Sequence, residues 1–67
     1  MELMEKLDHY IEMEYNCAVR TPASIEIFKS QVFGAIEMAI LLAPEKEDIL
    51  EKKWYDFKKT LDNLTEM

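Results

Sequence analysis

From Ile25 to Ala43 the sequence IEIFKSQVFGAIEMAILLA carries apolar residues at nearly every position around a helix. At about 100° per residue they cover roughly 280° of the circumference, leaving Glu26, Ser30 and Glu37 as a polar strip. Three seams of heptad-like spacing run along it: Ile25, Phe28, Val32, Ala35, Ala39, Leu42; then Ile27, Gln31, Gly34, Met38, Leu41; then Phe33, Ile36, Ile40, Ala43. A helix with three such seams needs neighbours on almost every side. The pattern therefore predicts a hub helix over about residues 22–43.

The flanking segments are simpler. Between residue 2 and about residue 19, Leu3, Met4, Leu7, Tyr10, Ile11, Tyr15, Cys17 and Ala18 recur at helical spacing, with Glu14 intruding on their arc. From about residue 45 to 65, Leu50, Trp54, Phe57, Leu61 and Leu64 keep strict 4-3-4-3 spacing, a seam for one neighbour. Pro22 and Pro44 end the helices that precede them, because a proline pushes the residue before it out of the helical region. Thr21 reads as an N-cap with Pro22 at the first helical position. No Ser, Thr or Asn caps the third helix, which leaves open a kinked continuation through Pro44. Glu45, Glu47 and Asp48 complement the positive end of its dipole. The expected architecture is an all-α, up-down-up three-helix bundle in a single domain of residues 1–67.

Folding the first two helices back about the Arg20–Thr21 turn places Ala18 by Ile25, Ile11 by Val32, and Leu7 by Ile36. It also sets Glu14 by Lys29, the charge misplaced on each apolar face, and so predicts a buried ion pair. Folding the third helix about Pro44 places Leu50 by Ala39, Trp54 by Ala35 and Leu61 by Phe28. Trp54 is then expected to be buried against Ala35 and Ala39. In this arrangement helix 1 takes the Phe33, Ile36, Ile40 flank and helix 3 takes the Ile25, Val32, Ala39 side. Ile27, Gln31, Gly34, Met38 and Leu41 are left uncovered. A stripe that apolar is the expected interface, and a two-fold arrangement lets it cover its own copy.

Composition narrows the setting. Of 67 residues, 49% are hydrophobic, with one Gly and two Pro, which suits a compact helical domain rather than a disordered chain. So short a chain has a marginal core, and a single cysteine excludes an intramolecular disulfide, so oligomerisation is the expected staple. The charged start MELMEKLDHY has no apolar stretch of the signal-peptide kind. The longest apolar run, Met38 to Ala43, is far short of the ~20 residues of a membrane span. The expected setting is cytoplasmic. A net charge of −6 without a basic stripe argues against direct nucleic-acid binding.

Candidate chemistry is sparse. Glu5, Asp8, His9 and Glu12 share one face of helix 1, but helical di-metal sites draw inward-facing ligands from several helices. A solvated face is the simpler reading, and neither a metal nor a cofactor is expected. Glu45 and Asp48 have the E-x-x-D spacing of helical nucleotide pyrophosphatases, though at a helix start they serve as dipole complements. Cys17 reads as a small core residue rather than a nucleophile, Tyr55 and Met13 as scattered exposed apolars, and Gly34 as a point of close helix approach. The run FKSQVFGAIEMA followed by KKWYDFKKTL, over about Phe28 to Leu61, resembles small acidic uncharacterised helical proteins of Gram-positive bacteria and their phages. That resemblance implies neither an activity nor a functional residue. The expectation is a non-enzymatic interaction or regulatory protein whose partner is a second copy of itself, another protein, or both. One alternative is an acidic nucleic-acid mimic presenting Glu2, Glu5, Asp8 and Glu12 to a basic protein. A metal-dependent helical enzyme is the other.

Overall fold

Both chain reversals are built on the same plan, and a proline sets each. In the computed structural model, which describes residues 2–65, Thr21 and Ala43 lie at φ −134°, ψ 67° and φ −140°, ψ 70°, outside the helical region. Each still donates its backbone N–H to the helix it ends: Thr21 to Cys17 at 3.0 Å, Ala43 to Ala39 at 2.8 Å. One turn of 3-10 helix follows each proline, Pro22–Ser24 and Pro44–Lys46. These turns separate three helices: α1 (Leu3–Arg20), α2 (Ile25–Leu42) and α3 (Glu47–Thr65). Accordingly α2 starts at Ile25 rather than at residue 22, and α3 is a separate helix rather than a kinked continuation of α2. Thr21 makes no side-chain cap; its carbonyl accepts the Ser24 N–H at 3.0 Å instead. The backbone turn thus replaces the expected cap.

The helices pack together around Leu7 and Ala18 of α1, Ile25, Val32, Ile36 and Ala39 of α2, and Leu50, Phe57 and Leu61 of α3. On α2 these positions fall within a narrow arc, so the hub turns one side wholly inward. Leu3, Leu7 and Tyr10 line a groove with Ala35, Met38, Ala39 and Leu42, which fixes α1 antiparallel to α2. Lys29 meets Asp62 and Phe33 meets Trp54, which fixes α3 antiparallel to α2 as well. The Lys53 ammonium reaches Asp8 at 2.6 Å and ties α3 to α1, which run parallel.

The two flanks of α2 are occupied opposite to the sequence-based expectation. α1 lies on the Ala35, Ala39, Leu42 side, and α3 takes the flank of Phe33, Ile36 and Ile40. Since α2 is apolar on both flanks, its pattern is satisfied by either arrangement. Trp54 consequently does not fill a space over Ala35. It is half-buried, its ring edge to face with Phe33, while Phe57 and Leu61 point into the core.

Candidate interaction surface

Because the inward arc of α2 is a single side, the opposite side of the helix has nothing over it. Ile27, Gln31, Gly34, Met38 and Leu41 are all exposed, the three large apolar side chains at 57%, 58% and 76%. Leu42, 68% exposed, extends the stripe at its C-terminal end, and Leu3 of α1 meets it across the groove shared with Met38 and Leu42. The sequence pattern placed Leu42 in an inward seam. It is the last residue of α2 and lies instead at the rim of the groove lined by Leu3 and Leu7. A Cβ built on Gly34 would touch nothing within 4 Å, so no helix of this chain approaches there. The glycine sits in the middle of an open apolar face.

The polar residues beside this stripe are tied inward. With its amide nitrogen turned toward α1, Gln31 donates to the Glu14 carboxylate, at 2.6 Å from Oε2 and 3.3 Å from Oε1. Glu14 therefore finds its partner in Gln31 and not in Lys29. The expected Glu14–Lys29 pair does not form, because α1 lies on the Gln31 flank and Lys29 is on the other. Lys29 instead extends toward α3, where its ammonium donates to Asp62 Oδ1 at 2.6 Å and lies 3.5 Å from Glu26. Its side chain is only 15% exposed, and the hydrogen bond to Asp62 holds its pKa above the usual lysine value. Tyr10, next to Glu14 on the inner side of α1, has a raised pKa, first from burial and then from the Glu14 charge. Both misplaced charges thus find a partner on a different helix, Glu14 a neutral amide on α2 and Lys29 a carboxylate on α3.

The remaining candidates are dispersed. Glu2, Glu5, His9 and Glu12 lie on the outside of α1, and Asp8 of the same face is engaged by Lys53. A lysine thus sits within the acidic face that a nucleic-acid mimic would present. Among the described residues no group of three or more His, Cys, Asp or Glu is arranged to hold a metal ion. Cys17 is exposed rather than part of the core, since α1 turns Ala18 inward in its place. Met13 and Tyr55 are exposed at 53% and 63%, in keeping with their polar faces. Glu45 and Asp48 are exposed about the start of α3. Among the described residues no helix is long and apolar enough to cross a membrane. No family model, curated protein or solved structure matches the chain.

Proposed function

We propose that this chain is a small non-enzymatic interaction protein that pairs with a second copy of itself through the outward face of α2. The observation that carries this reading is the exposed apolar stripe of Ile27, Met38, Leu41 and Leu42, with Leu3 beside it, at 39–76% exposure. At roughly 200 Å² for each large side chain, those exposures sum to about 600 Å², the upper end of what monomers leave open. Two copies together would bury about 1,200 Å², the lower end of specific interfaces. The chain's accessible surface, 4813 Å², also exceeds by roughly 400 Å² that of a compact monomer of its mass.

A two-fold axis near Gly34 suits this face. The missing Cβ lets two α2 helices cross closely, with Ile27 of one copy near Leu41 of the other. Gln31, held by Glu14, forms the polar edge rather than bridging the seam. Such a dimer offers its remaining surface to further partners, which is where a regulatory role would reside. Light scattering at about 10–100 µM tests it, since association depends on concentration. A dimer is expected, dissociated by Met38→Glu and by Gly34→Leu without loss of helix content. A monomer at the top of that range overturns the proposal. So does a dimer indifferent to both substitutions.

A further inference from the structure

The rings of Phe33 on α2 and Trp54 on α3 meet edge to face, with centroids 5.1 Å apart and planes at 65°. They divide the seam between these helices into two recesses. In the recess toward the first turn, the carboxylate of Glu26 has the ammonium of Lys29 at 3.5 Å, and Lys58 lines the same space. The second recess, about 150 Å³, is walled by the same two rings with Ile40, Tyr55, Glu37 and Glu51. It holds no cationic side chain. Neither Glu37 nor Glu51 takes part in an ion pair among the described residues. Phe33 and Tyr55 are 44% and 63% exposed, so aromatic surface and two uncompensated carboxylates share one small concavity.

Aromatic faces and carboxylates attract the same class of ligand, an organic cation. We infer that this recess receives the guanidinium of an arginine side chain from a partner protein. The flat cation lies against one of the two rings, which are inclined at 65° to each other, and its N–H edge donates to Glu37 from one helix and Glu51 from the other. A guanidinium brings five donors in one plane and is weakly hydrated, whereas a lysine ammonium is a compact, strongly hydrated charge. A quaternary ammonium has no N–H, and would take two carboxylates out of water without hydrogen bonds in return. The lining offers nothing to a free amino acid's α-carboxylate except two like charges, a repulsion that an arginine within a peptide chain, its carboxyl an amide, does not meet. The rest of the ligand is therefore polypeptide. This site lies on the α3 flank of α2 and is independent of pairing through the outward face.

Trp54 is the chain's single tryptophan, so its fluorescence reports on the recess directly. The full chain is titrated, at constant ionic strength, with N-acetyl-arginine amide, free arginine and tetramethylammonium. The blocked arginine is expected to give a saturable change in the millimolar range. Tetramethylammonium and free arginine should bind at least about fivefold more weakly, for want of donors and through carboxylate repulsion respectively. Glu37→Gln with Glu51→Gln should weaken the blocked arginine about tenfold or more. Helix content by circular dichroism checks that this variant folds; each single substitution gives the same reading should the double variant not. A response that does not saturate, or is equal in the variant, overturns the site. Tetramethylammonium binding as tightly as the blocked arginine overturns guanidinium recognition, and tighter binding of free arginine overturns a protein source.

Discussion

Removing Asp62 tests the most consequential charge placement in the bundle. Lys29 arises from the apolar hub, and its ammonium is stabilised by the 2.6 Å hydrogen bond to Asp62. A hydrogen bond to a charged group contributes about 1.5–3 kcal/mol, while a solvent-exposed ion pair contributes only ~0.2–1. Here the lysine side chain is 15% exposed and the aspartate 44%, which places the pair between those limits. A coupling of about 1–1.5 kcal/mol is expected from a double-mutant cycle of Asp62→Asn and Lys29→Met. The cycle cancels whatever else either residue touches. Urea unfolding followed by far-UV circular dichroism, at one protein concentration throughout, supplies the four free energies. The pH dependence adds a second reading. Because the folded pKa of Lys29 lies above its ordinary 10.5, the stabilisation is complete below that value. It is lost as pH rises through the folded pKa, so the coupling should be level between about pH 7 and pH 9.5 and fade above. A neutral-pH coupling under about 0.3 kcal/mol would refute the reasoning. An equal coupling between Glu14→Gln and Lys29→Met would refute it too, by restoring the pair the structure separates.

Gly34→Ala is expected to stabilise the monomer by about 1 kcal/mol, since alanine is the better helix former and the new methyl meets nothing. Thermal unfolding at low protein concentration checks this, and a loss of stability would mean that the backbone is approached within the chain. Ala18→Leu, at a position with no exposure, should cost about 1–3 kcal/mol by overpacking. Ala35→Leu, which opens onto the groove with Leu3 and Tyr10, should change stability by less than about 1 kcal/mol. Equal losses in the two would place Ala35 in the core.

Much of the fold was legible because it depends on local conformation. Pro22 and Pro44 fix where the chain reverses whatever the helices later touch, and both reversals lie where the prolines put them. Leu50, Phe57 and Leu61 lie on one narrow stripe, and that stripe is buried. Trp54 keeps the same spacing and packs at the edge of the core against Phe33 rather than over Ala35, because a stripe specifies a direction and not what waits there. Thr21 shows the limit at the scale of one residue: a capping side chain is unnecessary where the backbone turn already accepts the free N–H.

The candidate surface divides along the same line. That one seam of α2 would be uncovered followed from circumference, because two neighbours cannot enclose a helix that is apolar nearly all round, and the pairing about the two turns pointed to Ile27, Gly34, Met38 and Leu41. Which neighbour stands on which flank did not follow. The left- and right-handed arrangements of three helices bury the same central arc of Ile25, Val32, Ile36 and Ala39, and differ only at its margins. Those margins carry the choice: Gln31 turned to Glu14, Lys29 to Asp62, and Phe33 edge-on to Trp54. The sequence by itself determined the elements, the turns, the central arc and the open face, since these rest on backbone preference and on the period of one helix. The tertiary structure decided the handedness, and with it every charge partner and the aromatic recess, because those depend on several side chains from different helices being satisfied at once.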